Sequence, residues 1–270
     1  MQKLFDNLTA AFRKNNGFLT RTQLKAFLHH SDDIYGHLDT FVMILDSCGY
    51  PIETTPLGFK LKTFFCSYEE QKFCVIDIET NGSKPTKADV IEIGAVMVQN
   101  WEIVDHFDTF VYADEVPEYI TKITGITYDD IQNAPSQKEA LLMLRAFIGD
   151  AIFVAHNVKF DYSFLNTLYN KYGLGSIGNQ RFCTIDLARR SFESPRYGLA
   201  YLNEILGIEA ANHHRAYSDA LSAYIVMKKS FETLPDYVKS GDDVVKFSTS
   251  NCTTRKQNTP KETPRTPTHT

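Results

Sequence analysis

Phe73-Cys74-Val75-Ile76-Asp77-Ile78-Glu79-Thr80 joins a short apolar run to two acids, and Asn81-Gly82-Ser83 follows it as a turn signal. The β-branched residues of the run predict a buried strand over 73–79. On a strand, residues two apart share a face, so Asp77 and Glu79 project together from its carboxyl end. Open α/β sheets bind their ligands at that end. Alone the pair says little, because one chance Asp-x-Glu is expected in a chain of 270 residues at ordinary acid content. Taken alone, a polar strand end is the better account of it.

Working outward, two further patterns hold acids at the edges of predicted elements. His156-Asn157-Val158-Lys159-Phe160-Asp161 follows the apolar run 151–155 and opens a helix predicted over 160–172, with Phe164, Leu165, Leu168 and Tyr169 at three- and four-residue spacing. Asp161 is equally at home as an acid favoured by the helix dipole in the first turn. His156 and Asn157 also read as capping or core-satisfied polar groups. His214-Arg215-Ala216-Tyr217-Ser218-Asp219-Ala220 opens a second helix, whose Ala216, Ala220 and Ala223 form a small-residue stripe suited to close approach to a sheet. His213 and His214 end a segment, Ala210-Ala211-Asn212, that reads as a loop. Several carboxylates with a base are what metal-assisted phosphate chemistry requires.

Together these residues resemble the DEDD-type, DnaQ-like 3′–5′ exonucleases of the histidine subtype, a family that includes the proofreading epsilon subunits of bacterial DNA polymerase III. Asp77-Ile78-Glu79 matches its D-x-E motif, Asn157 to Asp161 its N-x-x-[FY]-D motif, and His214 to Asp219 its H-x-x-x-x-D motif. Ile123-Thr124-Gly125-Ile126 is a weaker match to a segment near the 3′-terminal nucleotide. The resemblance covers roughly 73–232. It implies a ribonuclease-H-like mixed sheet flanked by helices, and two Mg²⁺ or Mn²⁺ ions. In that scheme Asp77 bridges the metals, Glu79 and Asp219 complete the inner site, and Asp161 holds the outer one. His214 serves as base, selected over His213 by its spacing to Asp219. Ile78, Thr80, Ile126 and Asn157 are the candidate contacts to the terminal nucleotide.

Composition narrows the rest. A hydrophobic fraction of 43% supports a sizeable core, and a net charge of −5 argues against non-specific coating of nucleic acid. Five cysteines (48, 66, 74, 183 and 252) without C-x-x-C spacing indicate neither a disulfide framework nor a zinc site. The amino terminus shows no signal-peptide pattern, and no apolar run approaches the roughly 18 residues of a membrane span, so a cytoplasmic protein without membrane association is expected.

Residues 1–66 read as a separate winged-helix-like module: helical spacing at Leu4, Phe5, Leu8 and Phe12, a capping box at Thr20 to Gln23, an apolar stretch from Leu38 to Leu45, and a hairpin around Thr55-Pro56-Leu57-Gly58. Its third helix carries Asp39 and Asp46 and no Lys or Arg, which favours protein docking over DNA reading. Residues 67–72 read as a linker, 73–235 as the nuclease domain, with a strand at 182–186, and 240–270 as a disordered tail. The tail is locally basic, with five Lys or Arg against one Glu from 246 onward. The leading function is trimming of DNA 3′ ends, single strands preferred, beside a polymerase catalytic subunit. An exoribonuclease of RNA maturation, and a winged-helix binding protein with an inactive exonuclease fold, are the alternatives.

Overall fold

The computed structural model describes residues 1–29, 37–208 and 214–250. His213 and the segment 251–270 of the expected tail lie outside the described residues. The chain opens with α1 (Gln2–Lys14), β1 (Phe18–Thr20), α2 (Arg21–His29), α3 (Leu38–Ser47), β2 (Ile52–Thr55), β3 (Gly58–Leu61) and α4 (Lys62–Phe65). Then follow β4 (Phe73–Thr80), β5 (Val90–Gln99), β6 (Glu102–Phe110), α5 (Glu118–Thr124), α6 (Tyr128–Ile131), α7 (Gln137–Ile148), β7 (Ile152–Ala155) and α8 (Val158–Lys171). The chain continues through β8 (Arg181–Cys183), α9 (Thr184–Ser191), α10 (Leu199–Leu206), α11 (Ala216–Phe231) and α12 (Gly241–Thr249).

The large sheet has the order β6-β5-β4-β7-β8. β4, β5 and β6 pair antiparallel, as short connections allow, while β7 and β8 join parallel to β4 after helical crossovers. Alternation divides the side chains between two layers. Cys74, Ile76, Ile78, Ile93, Ala95 and Phe153 pack with Leu144, Leu165 and Leu168 of α7 and α8. Phe73, Val75, Val96 and Val154 pack on the other face with Ala223, Met227 and Val244 of α11 and α12. Asp77 and Glu79 continue the second set, so they face the layer that holds α11. That helix comes close because Gly94 lies beneath its first turn. A Cβ at Gly94 would stand 2.1 Å from the Tyr217 nitrogen and 2.2 Å from the Ala216 carbonyl carbon.

Three expectations from the sequence are corrected. The strand expected at 182–186 ends at Cys183, and Thr184 begins α9, because Thr184, Leu187 and Ala188 present one buried stripe at helical spacing. The tail expected from 240 instead begins with α12. Ser240 and Asp243 form a capping box there, and Val244, Val245 and Ser248 are buried. The linker 67–72 is packed rather than free: Ser67 bridges Ser240, the Tyr68 N–H donates to the Lys239 carbonyl at 3.0 Å, and the Tyr68 ring joins Trp101 and Phe231.

The first sixty-odd residues build a separate core of Phe5, Leu8, Phe12, Leu24, Phe41, Leu45 and Phe59 beneath an antiparallel sheet of order β1-β3-β2. This unit rests on the nuclease sheet near the amino end of β8. Arg13 pairs with fully buried Asp242 at 2.7 Å, Lys62 reaches Asp150 at 2.5 Å, and the Gly178 N–H donates to the Cys48 carbonyl at 2.7 Å. Gly49, at φ +76°, permits the contact, since a Cβ there would lie 2.5 Å from the Asn179 side chain and the Gly149 carbonyl. Among the described residues, no helix is long and apolar enough to cross a membrane.

Candidate active site

Three elements converge at the carboxyl end of β4. The strand supplies Asp77 and Glu79, the first turn of α8 supplies Asp161, and the first turn of α11 supplies Asp219. His214 stands just before α11, exposed and at φ 61°, a left-handed turn that brings it back over the acids. Its imidazole and the carboxylates of Glu79 and Asp219 offer ligand atoms that all lie within 4.8 Å of one another. Asp161 is the most enclosed, at 3% exposure. Beyond Val75, β4 has no partner in β7, and the Ile78 main chain there favours the charged form of the Asp161 carboxylate.

Crowding shows in the proton affinities. Burial, followed by the charges of Asp161, Glu79 and Asp219, holds the Asp77 carboxyl well above the usual range. Burial and then Asp219, Glu92 and Asp161 push Glu79 up to about 8, with Arg215 opposing. Burial pushes Asp161 up to about 7, although its own N–H and that of Ile78 favour the charged form. Arg215 is already engaged by Glu92, at 2.6 Å. The cluster is therefore short of positive charge, and its donors are oxygens with one imidazole. That set suits a hard divalent cation.

The structure thus gathers Asp77, Glu79, Asp161, Asp219 and His214. The expected nucleotide contacts divide. Asn157, in the left-handed region at φ 78°, caps α8 and is exposed. Ile78 is buried at 4%, and its contribution to the site is its main-chain N–H. The Thr80 hydroxyl donates to the Gly82 carbonyl at 2.9 Å. Ile126 packs with Ile91, Ala113 and Ile131 in a satellite core, while Ile123 of the same segment is exposed. His156 is a satisfied polar group. Its Nε2–H donates to the Tyr197 carbonyl at 2.9 Å, its Nδ1 accepts from the Thr184 hydroxyl at 2.7 Å, and burial pushes its pKa down to about 4. The motif reading passed over Glu92 and Arg215. A lone acid inside the apolar run Val90 to Val98 is the signal that points to the first.

The family model described as Exonuclease (RNase T) matches residues 74–227. The chain belongs to this exonuclease family. DNA polymerase III PolC-type of Staphylococcus epidermidis is 37% identical over 189 residues, which are 69% of this chain and 13% of that one. DNA polymerase III PolC-type of Staphylococcus aureus matches at the same identity and coverage. The chain thus spans only 13% of the length of these relatives. Among solved structures, Escherichia coli exonuclease I in complex with a dA16 oligonucleotide superposes at a TM-score of 0.55 with 17% identity, over 62% of this chain and 42% of that one. A zinc-ion-bound exonuclease I–ssDNA complex gives 0.55, 18%, 62% and 42%. That likeness is one of fold: the ribonuclease-H-like mixed sheet flanked by helices, as the sequence motifs implied. The exonuclease family is metal-dependent, and Glu79, His214 and Asp219 form a candidate metal-binding group within this member.

Proposed function

We propose that this exonuclease removes nucleotides from the 3′ end of DNA, single strands preferred, and proofreads for a replicative polymerase in the cytoplasm. The observation that carries the reading is the convergence of Asp77, Glu79, Asp161 and Asp219 with His214 at one sheet end. The PolC-type relatives support the polymerase connection.

Asp77, Glu79, Asp161 and Asp219 would hold two Mg²⁺ or Mn²⁺ ions. Bound there, such ions lower the pKa of water and offset charge on the phosphodiester and leaving oxygen. The chain's own residues do the rest. His214, exposed at the mouth, takes the proton of the attacking water. Its place on the turn before α11 leaves it exposed to solvent. Of the expected nucleotide contacts, Asn157 is the one left exposed for the terminal nucleotide, and Thr80 holds the turn at Gly82 through its hydroxyl. Residues 1–66 are read as a winged-helix-like docking module. The order of three helices and a β2–β3 hairpin beside β1 supports this, as does the scarcity of cations on α3.

The test uses 5′-labelled single-stranded DNA, matched and mispaired primer–templates, and RNA of the same sequence. Ladders that shorten from the 3′ end in Mg²⁺ or Mn²⁺, faster on mispaired than on matched ends, are expected. Chelator should abolish them and added metal restore them. Undiminished cleavage in excess EDTA sinks the metal reading. Faster decay of RNA than of DNA transfers the enzyme to RNA maturation.

A further inference from the structure

Glu92 is an acid with 1% exposure near the start of β5, directly opposite Glu79 in the β4–β5 register. Placing a carboxylate there is costly unless it is paired and hydrogen-bonded. It is fully engaged. Arg215 donates from Nε at 2.9 Å and from Nη2 at 2.6 Å to one oxygen, and the Ala216 main-chain N–H donates to the other at 2.9 Å. The Arg215 guanidinium also lies 5.2 Å from the Phe110 ring centre, which gives it a rigid seat. These bonds hold the point at which the chain leaves the His214 turn and enters α11. On one side of that point stands His214. On the other, the Arg215 carbonyl accepts the Asp219 N–H at 3.0 Å. Gly94 lets the same turn settle directly on β5.

We propose that Glu92 and Arg215 form a positioning pair that sets His214 and Asp219 against Asp77 and Glu79. The inference rests on the exonuclease reading of the site, and it assigns to the pair no contact with substrate or metal. A brace of this kind acts through geometry. A displacement of about 1 Å at a reacting group costs on the order of 10²-fold in rate, and loss of an outer partner of a metal ligand typically costs about 10–100-fold in metal affinity or activity. Arg215 is the better handle, because its replacement leaves the sheet residues in place.

The experiment compares Arg215→Gln, Arg215→Lys, Glu92→Gln and the double variant Glu92→Gln/Arg215→Gln in the full chain. Steady-state kinetics on a short single-stranded DNA are read beside Mn²⁺ binding by electron paramagnetic resonance, which needs no turnover. Arg215→Gln is expected to lower kcat by about 10–100-fold, with KM within about threefold of the parent and Mn²⁺ bound about tenfold more weakly. Arg215→Lys, which keeps one charged donor, should recover a large part of both losses. The double variant should be no worse than the poorer single one, because both remove the same brace.

Several results would overturn the proposal. One is kcat and Mn²⁺ affinity both unchanged in folded Arg215→Gln. Another is a rise in KM alone, which would make Arg215 a nucleic-acid contact. A third is additive losses in the double variant. If Glu92→Gln fails to fold, the two Arg215 variants still decide the matter. If the parent cleaves nothing with Mg²⁺ or Mn²⁺, the exonuclease reading fails, while weaker Mn²⁺ binding in Arg215→Gln still supports the brace.

Discussion

Glu79 and Asp219 lie close enough to share a cation with His214, yet His214 alone of the three is exposed, and this difference is the ground on which we propose it as base rather than ligand. General-base catalysis is worth about 10²–10⁴-fold. His214→Ala is therefore expected to lower kcat by that factor while circular dichroism and metal-dependent protection against heat stay near the parent's. Equal turnover in variant and parent removes His214 from the mechanism. His156 makes the opposite case, a histidine next to a motif but held inside. It is neutral in the fold with a pKa of about 4, against about 6.5 when unfolded. The unfolded chain thus binds the extra proton first. Stability from this residue is complete above about pH 6.5 and is lost as pH falls towards 4, by up to about 1.4 kcal/mol per pH unit within the window. Gln at 156 keeps a donor for the Tyr197 carbonyl and has nothing to titrate. Urea unfolding at pH 7 and pH 5 should show a larger loss in the parent than in His156→Gln, and equal losses would refute the assignment.

At the level of elements, α11 depends on what is absent from β5. Gly94→Ala would place a methyl 2.1–2.4 Å from main-chain atoms of Ala216 and Tyr217, which have no flexible side chain to move aside. The helix must lift, at an overpacking cost of about 1–3 kcal/mol, and it carries Asp219 with it. A lower urea midpoint together with a turnover loss of at least about tenfold is expected, and unchanged turnover would show that Asp219 tolerates the shift. Nothing in the residue pattern announces this contact, since Gly94 reads as one small residue in an apolar run. The elements themselves were legible where a period was strong. The strands β4 and β7 appear where the apolar runs at 73–79 and 151–155 predict them, and α8 and α11 follow their stripes. Some short elements were not legible: β1 has three residues, too few for a period, the strand expected at 182–186 was found but its end was not, and α12 hides its buried face in a polar segment of Ser, Asp, Lys and Thr. Site acids could be found because three motifs sit at element edges. Glu92 escaped because its partner, Arg215, is distant in sequence and meets it only through the fold.

Across the whole molecule, the amino-terminal unit and the acid cluster occupy opposite ends of parallel strands. Arg13, Gln180 and Asp242 meet at the amino end of β8, while Asp77 and Glu79 end β4. This separation predicts that stability and turnover respond independently. Asp242 has no exposed side-chain surface and accepts from Arg13 with both oxygens at 3.0 Å or closer, as well as from Gln180 at 2.8 Å. Removing one partner of a buried pair costs about 3–5 kcal/mol, because the remaining charge stays buried. Lys246 remains beside Asp242 at 3.2 Å, and Arg13 is itself partly exposed, so the low end of that range applies to Arg13→Ala. At roughly 2–4 °C per kcal/mol for a chain of this size, the Tm should fall by about 6–12 °C. Turnover of a short single-stranded DNA at 20 °C, well below either transition, should stay within about twofold of the parent's. Calorimetry and a turnover assay on the same preparations decide it. A large drop in turnover with the Tm unchanged would mean that residues 1–66 help to shape the site from afar. An unchanged Tm with unchanged turnover would mean that Lys246 and Gln180 alone satisfy the buried Asp242.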